Sequence, residues 1–202
     1  MSANSKSTRE RLIDVGLDLM HRHGYQATGV EGILGAAKVP KGSFYHHFGS
    51  KEDFAEAALE KYTTRAGEHA AKVLNDAKTP PLKRLKGYFN DLIKLAGQSA
   101  PIPGCMMGRF TLEIATERPQ LREHISASFA HWQHVIAKVI EQAVTEKELP
   151  ADTDPESLAA FLLNSWEGAL LRSQAEKNDA PLATFMHYAF EVLLTNKQMS
   201  RE

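Results

Sequence analysis

The sequence predicts an all-α protein of about nine helices. Apolar residues recur at i, i+3, i+4 and i+7 along most of the 202 residues, which is the spacing of one helix face. Proline and glycine residues interrupt this pattern, and no segment shows convincing strand alternation or an internal repeat. The length and the 43% hydrophobic content suit one or two domains with a buried core. We expect a small N-terminal domain of three helices over residues 1–50 and a larger helical domain over residues 51–202.

The first helix is predicted to begin at Thr8 and to end near His23, because Gly24 suits the position that follows a helix. Tyr25 comes next and is expected to pack under the following pair of helices. The apolar stripe of the first helix consists of Leu12, Ile13, Val15, Gly16, Leu19 and Met20. The basic residues of this region, which either contact phosphate groups or belong to a solvated helix start, are Lys6, Arg9 and Arg11.

The segment Ala27–Lys51 is predicted to form two short helices joined by a tight turn. Pro40 ends the first of them, because the residue before a proline avoids the α conformation. Phe44 and Phe48 are four residues apart and therefore share one face of the second. The apolar stripe of the first helix is Val30, Ile33, Leu34 and Ala37. Two helices too small to bury themselves, with a short turn between them, are typical of a helix-turn-helix.

The outward face of the second helix suits the major groove of DNA. It carries hydrogen-bond donors and planar rings, namely Lys41, Ser43, Tyr45, His46 and His47. No acidic residue occurs from Gly32 to Lys51, and Gly42 permits close approach to another backbone. A solvated helical pair with chance basic residues would explain the charge. It would not explain the order of glycine, aromatic and histidine residues.

Side chains near two helix starts predict caps. Thr28 and Glu31 are three residues apart and fit a capping box. Ser50 can cap a long helix that runs to about Asn75. Lys51 is then next to the exposed N–H groups at the start of this helix. The lysine charge and these N–H groups would attract the same phosphate.

Five further helices are predicted after the break at Thr79-Pro80-Pro81. Their expected bounds are Leu82 to about Gln98, Cys105 to about Thr116, Pro119 to about Lys147, Pro155 to about Lys177 and Ala180 to about Asn196. Asp154 is the expected cap before Pro155, and a loop rich in proline and glycine spans 99–104. The last two helices are apolar around more than half of their circumference. One apolar stripe can face the body of the domain, and the other needs a second surface to cover it.

The order of residues in Tyr25–Lys51 resembles the N-terminal domain of TetR/AcrR-type repressors. The matching positions are Tyr25, Thr28, Val30, Ile33, Ala37, Val39, Gly42, Tyr45, His47, Phe48 and Lys51. The resemblance implies a homodimeric repressor that binds a palindromic operator in double-stranded DNA and is released by a small-molecule effector. It also implies a dimer interface formed by the last two helices.

The resemblance, together with the outward face described above, marks the expected DNA-binding residues. They are Thr28, Lys38, Lys41, Gly42, Ser43, Tyr45, His46, His47 and Lys51. We expect Lys41 and Ser43 at base edges and Tyr45 at either a base edge or a phosphate. The residues expected at phosphates are His46, His47 and Lys51.

The chain departs from the family pattern at three positions around the turn. Gly29 replaces a usual Ser or Thr, and Pro40 replaces a usual Ser. Lys38 stands where the family usually has glycine, so we expect it to adopt a left-handed conformation at a cost of roughly 1 kcal/mol.

Cys105 is the sharpest candidate for chemistry outside the DNA-binding residues. It follows Pro103-Gly104 at a helix start, with Arg109 four residues on, and both surroundings favour a thiolate. The stretch resembles a subgroup of these repressors that senses electrophiles or oxidants through one cysteine. The alternative is a buried, inert thiol.

The larger domain is expected to hold a pocket for a lipophilic effector. Its predicted lining, besides Cys105, is Phe89, Met107, Phe110, Phe129, Trp132 and Trp166. Polar candidates are His131, Ser165 and Arg172. The alternative for each of these residues is an ordinary core or surface role.

Other classes of function have little support in the sequence. No phosphate loop, Gly-x-Ser-x-Gly motif or paired-carboxylate arrangement argues for an enzyme, and no cofactor is expected. His131 and His134, with His124 before them, offer metal-ligand spacing but lack a cysteine or acidic partner nearby in the sequence. The competing class is a small-molecule or electrophile-binding protein without a role on DNA.

The single cysteine and the lack of a membrane-spanning run predict a cytoplasmic protein. One cysteine excludes an internal disulfide and fits a reducing compartment. No apolar run is long enough to span a membrane, and the first residues lack a signal-peptide core. Residues 1–52 carry seven basic and five acidic side chains, a net charge of +2, and the remainder carries 17 and 20, a net charge of −3.

Overall fold

The computed structural model describes residues 7–97 and 104–195, and within these ranges every regular element is a helix. The all-α prediction is thereby confirmed. The helices are α1 (Thr8–His23), α2 (Val30–Ala37), α3 (Gly42–His47), α4 (Lys51–Leu74), α5 (Pro81–Gly97), α6 (Met106–Glu113), α7 (Pro119–Thr145), α8 (Pro155–Glu176) and α9 (Ala180–His187). Lys6 and most of the predicted loop at 99–104 lie outside the described residues.

Helix α1 begins and ends as its sequence predicts. Ser7 is the N-cap, and its Oγ accepts the Glu10 N–H at 3.2 Å while the Ser7 N–H donates to the Glu10 carboxylate at 2.9 Å. Gly24 ends the helix with φ 89°, a conformation that favours glycine. The buried face differs from the predicted stripe in one respect, since Leu17 is buried whereas Val15 and Leu19 are half-buried.

The chain divides into two compact units. The first comprises Met1–Ala66 with Cys105–Ile125, and the second comprises Gly67–Gly104 with Ser126–Glu202. The first unit therefore includes most of α4, all of α6 and the beginning of α7 in addition to the three N-terminal helices. The domain boundary at residue 50 stays a prediction.

An aromatic cluster forms the core of the first unit. The rings of Phe44, Phe48 and Phe54 are all buried, with centroid separations of 5.4, 5.2 and 4.8 Å. Gly16 of α1 lies against this cluster so closely that a Cβ atom there would overlap the Phe54 ring. Burial of each phenylalanine contributes about 1.5–3 kcal/mol, so the cluster fixes α3 against α1 and α4.

The core of the second unit is also aromatic. Phe89 of α5 packs against Trp166 of α8 at 5.3 Å and against Phe185 of α9 at 5.0 Å between ring centroids. Asp154 caps α8 as predicted, because its carboxylate accepts the N–H groups of Glu156 and Ser157 at 3.1 and 3.2 Å.

The last described element differs from the prediction of one α-helix from Ala180 to about Asn196, a residue that lies outside the described ranges. A π-helical segment, Tyr188–Leu193, follows α9 and buries Ala189 and Phe190. Large apolar side chains that remain exposed on α8 and this segment are Phe161, Leu171, Tyr188, Val192 and Leu193. Within the described ranges, no helix combines the length and hydrophobicity needed to cross a membrane.

Candidate nucleic-acid interface

Helix α3 has one buried face and one exposed face. Phe44 is fully buried, whereas the adjacent Tyr45 is 61% exposed, and their rings meet edge to face at 5.4 Å. His46 is exposed, and Ser43 and His47 are half-buried. Because Phe44 is packed in the core, the opposite side of α3, with Tyr45, faces solvent.

The turn before α3 contains the predicted left-handed residue. Lys38 has φ 54° and ψ 48°, and its N–H donates to the Gly35 carbonyl oxygen at 3.2 Å. The prediction for Lys38 is confirmed. An L-residue in this conformation costs about 1–2 kcal/mol, which the packing of α2 and α3 must offset.

An ion pair joins α2 to the start of α3. Lys41 Nζ lies 2.8 Å from Glu31 Oε1, with 74% and 81% of the two side chains exposed. The hydrogen bond and the charge of Lys41 lower the pKa of Glu31, and Glu31 in turn raises the pKa of Lys41. The sequence has no acidic residue from Gly32 to Lys51. The fold nevertheless places a carboxylate on this surface, because Glu31 precedes that stretch and pairs with Lys41.

The predicted capping box of α2 is wrong. Gly29 is the N-cap and provides no side-chain hydrogen bond. Thr28 is buried, and its hydroxyl group donates to the Gly24 carbonyl oxygen at 2.7 Å. The Thr28 hydroxyl group therefore bonds to the carbonyl oxygen at the end of α1, and the Glu31 carboxylate bonds to Lys41.

Lys51 opens α4 as predicted but is not freely exposed. Its Nζ lies 4.1 Å from the centroid of the Tyr25 ring, and burial lowers the pKa of the Lys51 ammonium group. Burial, followed by a hydrogen bond to Glu52, raises the pKa of Tyr25 to about 12. The predicted cap is confirmed, because Ser50 Oγ accepts the Asp53 N–H at 3.0 Å.

Helix α6 contacts the last turn of α1 and the segment between α1 and α2. The Glu113 carboxylate accepts the Gln26 N–H at 2.9 Å, and Arg109 donates to the Arg22 carbonyl oxygen at 3.1 Å. The rings of Tyr25 and Phe110 meet edge to face at 6.2 Å. In each of the two hydrogen bonds, the paired residues are 87 positions apart in the sequence. The contacts connect α6 to the residues that precede the helix-turn-helix.

Cys105 is the N-cap of α6 and is half-buried. It belongs to no disulfide. Arg109, which the sequence places one turn further along the helix, engages the Arg22 carbonyl group. The arrangement leaves the thiol directly before the helix that contacts the end of α1 and the residues preceding the helix-turn-helix.

The predicted effector residues are mostly core residues. Met107 and Phe110 are buried in the first unit, and Phe89 and Trp166 are buried in the second. Phe129 and Trp132 are half-buried in the second unit, where the Trp132 indole N–H is buried without a hydrogen-bond partner.

A cavity of about 330 Å³ in the second unit has a different lining from the predicted effector pocket. It is bordered by Lys72, Val73, Asp76, Thr79, Lys83, Arg84, Gly87, Asn90, Asp91 and Lys94. None of the predicted effector residues contributes to it. Among the polar candidates, Arg172 pairs with Glu176 at 2.6 Å, His131 is exposed and Ser165 is half-buried.

The histidines of α7 have separate partners. His134 Nδ1 lies 3.1 Å from Glu156, and His124 Nε2 lies 3.4 Å from the Thr63 hydroxyl group. In the part of the chain that the structure describes, no three metal-ligating side chains come together.

The sequence is similar to known families and proteins. Residues 12–58 match the family described as bacterial regulatory proteins, tetR family, and residues 81–189 match the tetracyclin repressor-like C-terminal domain. The HTH-type transcriptional repressor DhaR of Mycobacterium sp. (strain GP1) is 35% identical over 191 residues, which cover 94% of each chain.

Solved structures agree with the sequence relatives. The regulatory protein TetR from Rhodobacter sphaeroides superposes with a TM-score of 0.86 at 33% identity, covering 91% of this chain and 97% of its own. The reduced form of NemR from E. coli gives a TM-score of 0.83 at 25% identity, covering 91% and 95%.

Proposed function

The chain belongs to the TetR family of bacterial regulatory proteins, and we propose that it is a homodimeric repressor of transcription released by a small lipophilic or electrophilic effector. The main support for a DNA-binding role is that α3 has a buried face at Phe44 and an exposed face at Tyr45. Such a helix can enter the major groove without exposing its core. The proposed role is regulatory rather than enzymatic, and its compartment is the cytoplasm.

The proposed DNA contacts are the predicted residues that are exposed or half-buried. Lys41, Ser43 and Tyr45 are assigned to base edges, with Gly42 allowing close approach. The residues assigned to phosphates are Lys38, His46, His47 and Lys51. Thr28 is left out of this set, because it is buried and its hydroxyl group is already satisfied by Gly24.

The proposed dimer is formed by α8, α9 and the π-helical segment. Phe161, Leu171 and Tyr188 each expose more than half of an apolar side chain on these elements. A two-fold axis through this surface would present two copies of α3 to half-sites one DNA turn, about 34 Å, apart.

The proposed release mechanism acts through α6. Modification of Cys105, or an effector bound among the predicted pocket residues, would shift α6. The contacts of Arg109 and Glu113 with the segment before α2 give such a shift a direct route to the helix-turn-helix. Release requires that the modified state bind DNA less well, which is a shift between two populations.

DNA binding measured at several salt concentrations tests the proposal. Wild-type protein should protect a palindromic site in the DNA upstream of its own gene, with an affinity that falls as salt rises. Lys41→Ala and Tyr45→Ala should weaken this binding while the thermal unfolding temperature stays close to that of the wild type. Unchanged binding by both variants would favour the competing class, a small-molecule-binding protein without a role on DNA.

A further inference from the structure

Glu31 is the single carboxylate of the helix-turn-helix segment 28–51. Its side chain is 81% exposed, and Lys41 Nζ lies 2.8 Å away. Lys41 is one of the residues assigned to base edges under the proposed function, on which this inference rests. The carboxylate therefore lies on the same surface that must face a chain of phosphates.

Stability does not account for this ion pair. Exposed pairs of this kind contribute little to folding, because water screens them and two long side chains must be ordered. A carboxylate beside DNA also repels phosphates and cancels the counterion release that its lysine would otherwise provide. Its effect should consequently be found in DNA binding.

The chemistry of the ammonium group indicates what Glu31 can do there. An ammonium group has three N–H donors and no acceptor. Glu31 accepts one of them, which restrains the flexible lysine and leaves two donors for other partners. Adjacent acceptors that two donors could reach occur at O6 and N7 of guanine in the major groove.

We propose that Glu31 is a positioning residue that determines specificity by directing Lys41 to a base edge and away from phosphates. On the operator, Lys41 keeps its bond to Glu31 and donates its remaining protons to guanine. On DNA without guanine at that position, the two remaining donors meet no adjacent pair of acceptors, and the paired charges give no net attraction to the backbone. Glu31 thus lowers non-specific binding more than operator binding.

The test compares wild type with Glu31→Gln on two duplexes of equal length. One carries the upstream site mapped by wild-type footprinting, and the other carries the same bases in scrambled order. For Glu31→Gln, we expect affinity for the scrambled duplex to rise about 3–10-fold at moderate salt, and log K against log salt to steepen by about 0.9 for each protomer. Operator affinity should stay the same or fall, so the specificity ratio should fall at least about threefold. Glu60→Gln, an equal charge change at an exposed position of α4, is the matched control and should leave the ratio unchanged.

A second pair of variants tests whether Glu31 acts through Lys41. In the Lys41→Gln background, adding Glu31→Gln should no longer change the specificity ratio. The proposal is overturned if Glu31→Gln keeps the wild-type ratio. It is also overturned if the ratio falls equally in the Lys41→Gln background, since that result means general repulsion. If wild-type protein gives no footprint on the upstream DNA, the proposed DNA-binding function is refuted instead.

Discussion

The Glu113 carboxylate accepts a hydrogen bond from the Gln26 backbone N–H at 2.9 Å, and the same carboxylate fills the space beside Gly24. Gly24 has φ 89°, and a Cβ atom there would overlap the carboxylate oxygens. The end of α1, the approach to α2 and the last turn of α6 therefore meet at one carboxylate. A change at any of these positions should affect the other two.

Substitution of Gly24 tests this junction. Gly24→Ala should lower the free energy of unfolding by about 1–3 kcal/mol, because the left-handed conformation is strained and the Glu113 carboxylate must leave the Gln26 N–H. Urea denaturation measures the change. Gly67→Ala in α4, where a Cβ atom meets nothing within 4 Å, is the control and should not destabilise the protein.

A double substitution separates the two contributions at Gly24. In a Glu113→Ala background the overlap is gone, so Gly24→Ala should cost less than it does in the wild type. Equal costs in the two backgrounds would mean that the backbone conformation alone matters and that the contact with Glu113 is incidental.

Lys38 provides a test of strain in the turn. Lys38→Gly and Lys38→Ala remove the same charge, but only glycine adopts the left-handed conformation without a steric cost. We expect the glycine variant to be more stable than the alanine variant by about 1 kcal/mol in chemical denaturation. Equal stabilities would show that the turn changes its conformation when Lys38 is replaced.

Tyr25 gives the fold a dependence on alkaline pH. Its pKa is raised from 10.0 to about 12 by burial and by its hydrogen bond to Glu52. Because the folded state holds the phenolic proton more tightly than the unfolded state, this stabilisation is fully present below pH 10 and is lost as the pH rises from 10 to 12.

Unfolding measured across this pH range should show the effect. The stability of wild-type protein should fall more steeply between pH 10 and 12 than that of Tyr25→Phe, in which no phenol titrates. Parallel curves for the two proteins would contradict the raised pKa.

Cys105 is tested by alkylation. Because Cys105 is the single cysteine, N-ethylmaleimide should add once to the wild type and not to Cys105→Ser, as mass spectrometry can verify. If α6 transmits the modification, alkylated wild type should lose operator affinity about tenfold or more, and treated Cys105→Ser should keep it. A wild type that carries the adduct and still binds with full affinity would show that the thiol has no part in release.

Local signals allowed much of the fold to be predicted. Caps at Ser50 and Asp154 and the left-handed Lys38 depend on residues within a few positions of one another, and all three are confirmed. The helix periods are likewise local. The family resemblance is confirmed by relatives that cover almost the whole chain.

The errors and omissions concern partners that are distant in sequence or that compete for one side chain. Thr28 was expected to cap α2, but the N-cap is Gly29, and the Thr28 hydroxyl group donates to the Gly24 carbonyl oxygen at the end of α1. The pairing of Glu31 with Lys41 crosses the turn, and that of Glu113 with Gln26 spans 87 residues. Spacing along the sequence carries no information about such partners, and assignments that depend on DNA or an effector remain predictions.

The contact between Gly16 and Phe54 has a consequence for how this sequence can diverge. A ring fills the volume where any side chain at position 16 would begin, so neither position can change its size alone. We expect the two positions to covary among descendants of this chain, with gains in volume at residue 16 accompanied by losses at residue 54. The glycine at position 16 thus reflects an evolutionary constraint imposed by a residue 38 positions further along the chain.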